Sequence, residues 1–239
     1  MPLDPHPTKI VSIKVTKHPV VVTTGNKAQV TVVSACSASG HVLPPMVIFD
    51  RKTLKPELKY GEVPGTMYGL SKNGWIDSEL FELWFTHHFL PNVPPLRPLL
   101  LIMDGHSTHY QPSVVRLAAA EKVILFCLPP NTTHLTQPLD KGCFSPLKTA
   151  WRQQCQQFLS DNASKVITRY EFSRLFSKAW FVAMTQSNVI SGFRCTGIYP
   201  FNREAIQLPI SVDPGRALSL EKQTGLSFIP LYSCSPSSR

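Results

Sequence analysis

The stretch LLLIMDGHSTHYQPS, residues 99–113, ends a strongly apolar run in an aspartate that is followed at once by a turn-forming, histidine-containing segment. Leu100, Leu101, Ile102 and Met103 predict a strand that is buried on both faces. A carboxylate in such surroundings is costly unless water, a cation or hydrogen-bond donors reach it. We therefore expect Asp104 to lie at the exit of this strand.

The segments around this strand predict an α/β protein. A helix-like segment over residues 112–121 and a second apolar run, VILFCLPP over residues 123–130, follow it. Strand, helix and strand within about 30 residues are typical of a parallel βαβ unit. Upstream, apolar runs near residues 29–36 and 42–49 flank Ser37-Ala38-Ser39-Gly40, which predicts an antiparallel hairpin.

Helical spacing and capping residues predict the remaining architecture. Asp77 or Ser78 caps a helix with an apolar face, another helix covers about residues 143–159, and the capping box Thr168-Arg169-Tyr170-Glu171 begins a third. Many turn formers between these elements predict an ordered loop over residues 50–75. The sequence thus predicts one domain over residues 1–206, followed by a flexible tail rich in Ser and Pro over residues 207–239.

The composition favours a polyanionic partner. The chain has 239 residues, of which 43% are hydrophobic, and carries 24 Lys+Arg against 15 Asp+Glu, a formal charge of +9. No apolar stretch approaches the roughly 20 residues that cross a bilayer, and the opening residues show no signal-like run, so we expect the cytosol or the nucleus and no membrane. The six cysteines form no Cys-x-x-Cys pair, which predicts reduced, structural thiols.

Two carboxylates are candidates for metal chemistry. Asp104 closes one parallel strand, and Asp140 follows the neighbouring strand just ahead of a helix, so both are expected at the same edge of the sheet. Carboxylates there suit Mg²⁺, and a pair of such ions can promote phosphodiester cleavage. The alternative is structural, because aspartates at strand ends and before helices often act as caps.

Other side chains near these carboxylates offer competing or supporting roles. His106, His109 and His134 could bind zinc with a carboxylate, although no cysteine lies in these loops, and hydrogen bonding or DNA contact is favoured. A Ser-His-Asp hydrolase built on Ser107 is disfavoured because the nucleophile elbow is missing. Seven Lys or Arg residues over 141–178 predict a basic face for DNA phosphates, unless they are merely solvated. Its candidates for DNA contact are Lys141, Lys148 and Arg152.

Several longer motifs resemble one family. The segments LLLIMDGHSTH, ILFCLPPNTTHLTQPLDKGCFSPLKTAW and GIYPFN look like the DDE superfamily endonuclease domain of pogo/Tigger/jerky-type transposases. That branch of the mariner-like superfamily includes the domesticated centromere protein B. The resemblance continues through LPPMVIFDRK and NGWIDSELFELWF and covers roughly residues 5–206.

The resemblance implies an RNase H-like fold, in which a five-stranded mixed sheet is flanked by helices and its first three strands are antiparallel. It also implies three acidic residues that bind two Mg²⁺ (or Mn²⁺) ions for DNA cleavage and strand transfer in the nucleus. The second maps onto Asp104 and the third onto Asp140. The first family carboxylate, with its strand, precedes a segment like MPLDPHPTKIV, so we expect the domain to be truncated at its N-terminus, with the first strand missing and an unpaired strand edge.

Two residues could replace the first carboxylate, Asp4 and Asp50, and neither is favoured. The expected function is therefore a transposase-derived endonuclease domain with impaired activity; its expected partners are DNA and a second copy of the chain in a homodimer. The alternative is a domesticated module for DNA binding or dimerisation without catalysis.

Overall fold

The computed structural model describes residues 1–3, 30–104, 111–162 and 165–206, together with the backbone of 228–233. Six strands form one sheet within these residues: β1 (Thr31–Ser37), β2 (Met46–Phe49), β3 (Met67–Leu70), β4 (Leu99–Met103), β5 (Val123–Cys127) and β6 (Phe228–Ser233). The α-helices that the structure describes are α1 (Ser78–Trp84), α2 (Leu90–Asn92), α3 (Pro112–Ala120), α4 (Thr133–Thr136), α5 (Pro138–Gly142), α6 (Phe144–Asp161), α7 (Arg169–Ala183) and α8 (Gln186–Cys195). A 3-10 turn spans Pro56–Lys59, and a π-helical segment, Phe85–Phe89, joins α1 to α2.

The strands follow the order β3-β2-β1-β6-β4-β5 across the sheet. The predicted hairpin is confirmed as the antiparallel pair β1 and β2, and the predicted βαβ unit as the parallel pair β4 and β5 with α3 between them in sequence. Because β6 is parallel to β1 and antiparallel to β4, the carboxyl ends of β2, β3, β4 and β5 all lie at one edge. We call this edge the carboxyl edge.

β6 occupies the position between β1 and β4. Its backbone pairs Ala35 with Ile229 on one side and Leu101 with Leu231 on the other. The expectation of an unpaired edge beside β1 is therefore wrong, because a distant segment fills that position. These six residues belong to the tail predicted over 207–239, of which 207–227 and 234–239 lie outside the described residues.

The sheet separates two apolar layers. Trp84 of α1 and Phe89 of the π-helical segment pack in one cluster with Val33 and Ala35 of β1 on one face. Trp151 of α6 and Phe172 of α7 belong to the layer on the opposite face. Alternation along β1 thus sends successive side chains into different cores, as a central strand requires.

Local sequence rules explain where several helices begin. The side chain of Asp77 accepts a hydrogen bond from the Leu80 amide at 2.9 Å, so Asp77 is the predicted cap of α1. The predicted capping box of α7 is also present: Thr168 Oγ1 accepts from the Tyr170 amide, and Glu171 accepts from the Thr168 amide at 2.8 Å.

β3 and α8 are among the elements that were not expected from the sequence. β3 lies inside the predicted loop 50–75 and runs parallel to β2, so the pattern of three antiparallel strands is not observed. α8 covers a segment for which no helix was predicted. No disulfide joins the cysteines in the described part of the chain (Cys36, Cys127, Cys143, Cys155 and Cys195), in agreement with the predicted reduced thiols.

Removal of β6 should destabilise the sheet. A chain ending at residue 206 loses the backbone hydrogen bonds that β6 makes with both neighbours, each worth about 1 kcal/mol net. We expect a lower midpoint of urea unfolding and a smaller soluble fraction, since β1 and β4 would expose open edges. A chain ending at residue 233 keeps β6 and serves as the control. Equal urea midpoints for the two chains would show that β6 contributes nothing to stability.

Candidate functional site

Asp104 follows β4 directly and lies at the carboxyl edge, as predicted. Met103 before it is fully buried, whereas Asp104 itself is partly exposed. The strand thus carries its last apolar side chain into the core and delivers the carboxylate to the sheet edge. The residues after it, including His106, Ser107 and His109, lie outside the described residues.

Asp140 lies in the first turn of the short helix α5, which begins at Pro138. Proline suits the first helical position because its missing amide proton has no partner there, and a carboxylate in the first turn interacts favourably with the helix dipole. The half-buried Asp140 therefore has a local structural role as well as a possible chemical one.

A close crossing of two backbones holds α5 in place. A β-carbon built on Gly142 of α5 would lie 2.2 Å from the Asn188 carbonyl oxygen of α8, and one built on Gly192 would lie 2.2 Å from the Pro138 carbonyl oxygen. Only glycine fits at either position without displacing the other helix. Sequence reasoning did not single out these two glycines, although a glycine inside a helical segment often signals such packing.

The two carboxylates interact electrostatically. Burial raises the pKa of Asp140 to about 6, Lys148 acts in the opposite direction, and the negative charge of Asp104 raises this pKa further. Like charges that lie close together disfavour ionisation of both groups. The structure thus brings Asp104 and Asp140 near each other, as the sequence predicted. Two neighbouring negative charges favour the presence of a cation beside them.

Lys148 of α6 supplies part of that charge. Burial lowers the pKa of Lys148, Asp140 counteracts this shift, and the nearby Arg152 adds to it. The same region of α6 contacts the first residues of the chain, where Trp151 Nε1 donates to the Pro2 carbonyl oxygen at 3.0 Å. The Met1 amino group donates to the Val30 carbonyl oxygen at 2.5 Å, and burial, with Lys148, lowers its pKa to about 5.

The other predicted residues are distributed differently. His134 is exposed on α4 and Lys141 is exposed on α5. Asp50 follows β2 at the carboxyl edge but is paired with Arg169, so it is not available as a third carboxylate beside Asp104. Asp4 lies outside the described residues.

The donor set fits a hard divalent cation. Two carboxylates with positions left for water and phosphate are the usual surroundings of Mg²⁺ in phosphoryl-transfer sites. Among the residues that the structure describes, no group of three or more His, Cys, Asp or Glu side chains could hold a metal ion. The described part of the site is therefore a carboxylate pair and does not form a closed metal cage.

Comparison with known families gives one match. The family described as "DDE superfamily endonuclease" matches residues 27–193. This range contains Asp104, Asp140 and Lys148. No solved structure matches the chain.

Several curated proteins are similar to parts of the chain. The Jerky protein of Mus musculus is 29% identical over 48% of this chain, and the human pogo transposable element with ZNF domain is 28% identical over 55%. A Cochliobolus lunatus protein named MFS-type transporter clz9 is 28% identical over 78% of this chain. The chain spans 22%, 9% and 21% of these three proteins, respectively. In the described residues, no helix is both long and apolar enough to cross a membrane.

The close packing of α5 against α8 at Gly142 and Gly192 predicts that adding one methyl group there destabilises the fold. Gly192→Ala should lower the free energy of unfolding by about 1–3 kcal/mol, because the new side chain would overlap the Pro138 carbonyl. Urea unfolding measures this effect. Ser191→Ala adds no bulk at an exposed neighbouring position and should change little; equal values for the two variants would contradict the proposed packing.

The raised pKa of Asp140 predicts that replacing its carboxylate with a neutral side chain stabilises the fold, and that this stabilisation depends on pH. Since the folded-state pKa of about 6 exceeds the usual value of 3.8, the carboxylate destabilises the metal-free fold above pH 6. Asp140→Asn should raise the free energy of unfolding at pH 7.5 by up to about 3 kcal/mol. This gain should shrink as the pH falls through 6 and vanish below 4.

Urea unfolding in EDTA at several pH values measures the effect of Asp140→Asn. Asp161→Asn changes an exposed aspartate at the end of α6 and is the matched control. A gain that persists unchanged at pH 4 would show that it does not come from the charge of Asp140.

Proposed function

The chain belongs to the DDE superfamily endonuclease family, and from this premise we propose that it is a transposase-derived domain that acts on DNA phosphodiester bonds. The observation that carries this proposal is the proximity of Asp104 and Asp140 at the carboxyl edge, where burial and the negative charge of Asp104 raise the pKa of Asp140. Such a pair is stabilised by a divalent cation, and that cation would be Mg²⁺ or Mn²⁺.

The site residues have separate roles in this proposal. Asp104 and Asp140 would hold the divalent metal ions, whose chemistry when bound would be activation of the attacking oxygen and stabilisation of the leaving oxygen. Lys148 lies beside Asp140 and, with Lys141 and Arg152, would hold DNA phosphates near the carboxylates. His106, His109 and His134 remain candidates for DNA contact on the loops around the site.

We further propose that catalysis by this chain is impaired. The described residues bring two carboxylates together at this edge, because Asp50 is paired with Arg169, whereas the family chemistry that the sequence resembles uses three. Two carboxylates leave a metal pair with few protein ligands, and binding of the second ion should be weak. An RNase H-like fold, a nuclear location and a possible homodimer belong to the same proposal.

A second candidate function is DNA binding or dimerisation without catalysis. The absence of a three-residue metal cluster from the described residues favours this alternative. The formal charge of +9 supports DNA binding in either case. The two candidates differ in whether Asp104 and Asp140 bind a metal ion, which can be measured directly.

Metal binding distinguishes these functions. We expect Mn²⁺ to raise the thermal unfolding temperature of the wild-type chain, because a ligand stabilises the folded form that binds it. The unfolding temperatures of Asp104→Ala and Asp140→Ala should not change with Mn²⁺. Nicking of supercoiled plasmid in Mg²⁺ should be detectable only at high protein concentration, and Asp104→Ala should abolish it.

Asp161→Ala, which removes an exposed aspartate away from the pair, should respond to Mn²⁺ like the wild type. If the wild type shows no Mn²⁺ response but binds DNA, the non-catalytic function is correct. Efficient nicking that depends on Asp104 would contradict the proposed impairment.

A further inference from the structure

A second cluster of cations lies at the carboxyl edge, at the end of β2. β2 ends at Phe49, and Asp50 and Arg51 leave the sheet at the same edge as Asp104. Between β2 and β4 lie three strand spacings of about 4.8 Å, so the two positions are about 14 Å apart along the edge. This distance corresponds to about four steps of B-DNA at 3.4 Å per step.

An ion pair fixes the geometry of this cluster. Arg169, the first residue of α7, contacts both carboxylate oxygens of Asp50. The pair is largely shielded from solvent and ties the start of α7 to the end of β2. The next residue, Tyr170, is thereby placed beside Arg51 with 37% of its surface exposed.

Two cations converge on the hydroxyl group of Tyr170. Arg51 Nη1 donates to the phenol oxygen at 3.3 Å, and the guanidinium carbon lies 5.3 Å from the ring centroid. Arg51, together with the smaller effect of Lys55, lowers the pKa of this exposed phenol. The phenol oxygen accepts from Arg51, which leaves its own O–H group available to donate.

Carboxylates near this cluster are engaged with other groups. Asp50 pairs with Arg169, and Glu171 accepts from the amide and the hydroxyl of Thr168. Glu62 interacts with the hydroxyl of Tyr68. These carboxylates therefore do not neutralise Arg51 and Lys55. Glu57 on the turn Pro56–Lys59 is an exposed acidic residue that partly offsets their positive charge.

We propose that Arg51, Lys55 and Tyr170 form a second contact with the DNA backbone, which binds a phosphate group at the carboxyl edge away from the Asp104–Asp140 pair. A guanidinium, an ammonium and a phenolic O–H all donate to phosphate oxygens and carry no sequence information. This inference rests on the proposed function, because one DNA duplex would contact both the Asp104–Asp140 pair and this cluster. The contact would orient the duplex relative to the carboxylates.

The salt dependence of DNA binding tests this contact. Fluorescence anisotropy of a labelled 30-base-pair duplex in EDTA, over a range of KCl concentrations, gives the slope of log K against log salt. The double variant R51Q/K55Q should bind more weakly, and the magnitude of its slope should be smaller by about 0.9, the contribution of one lost phosphate contact. Y170F keeps the ring and should weaken binding without changing the slope.

The double variant R116Q/K122Q removes the same number of charges. Arg116 on α3 and Lys122 before β5 are both exposed, and Lys122 precedes β5 at the edge opposite the carboxyl edge. This control should retain the wild-type slope. If R51Q/K55Q and R116Q/K122Q have the same slope, or if Y170F binds like the wild type, the proposed contact is wrong.

The two proposals fail in different ways. In EDTA the metal site is inactive, so the slope does not depend on catalysis, and D104N should retain the slope effect of R51Q/K55Q. Absence of Mn²⁺ binding together with the expected slopes would overturn the metal-dependent function and support the second contact. Absence of DNA binding by the wild type would overturn both.

Discussion

The crossing of α5 and α8 at Gly142 and Gly192 fixes the position of the site. The two backbones approach so closely that neither glycine can carry a side chain. α5 has only five residues and cannot hold its own orientation by helix propensity, so its packing against α8 decides where Asp140 lies. Backbone contact with the longer helix α8 thus holds α5, and with it the carboxylate of Asp140, in place.

Much of this arrangement follows from local sequence rules. A doubly buried strand predicted Asp104 at its exit, and a carboxylate ahead of a helix predicted Asp140 at the same edge. The caps of α1 and α7 were also predicted, because Asp77 and Thr168 bind amides within their own helix. These features depend on neighbours a few residues away, which sequence patterns describe well.

The features that the sequence did not predict depend on tertiary contacts. β3 is four residues long, contains Gly69 and lies among turn formers, so its pairing with β2 decides its conformation. α8 has a mixed composition with a glycine near its end, and its packing against α5 compensates for weak propensity. At the carboxyl edge, the pair of Asp50 with Arg169 joins residues that are 119 positions apart in the sequence. No local sequence pattern predicts such a pair.

The position of β6 has a consequence for the order in which the sheet is completed. β6 pairs with β1 across roughly 190 residues of sequence and includes Pro230, which offers no amide proton to the ladder. Contacts of such long sequence separation have a high entropic cost and slow the folding of β proteins. During synthesis, β1–β3 and β4–β5 leave the ribosome before the strand that joins them, and each group carries an open edge until then. Until β6 is synthesised, both groups therefore expose a strand edge that can pair with another chain, and a partly synthesised domain of this kind is prone to aggregation.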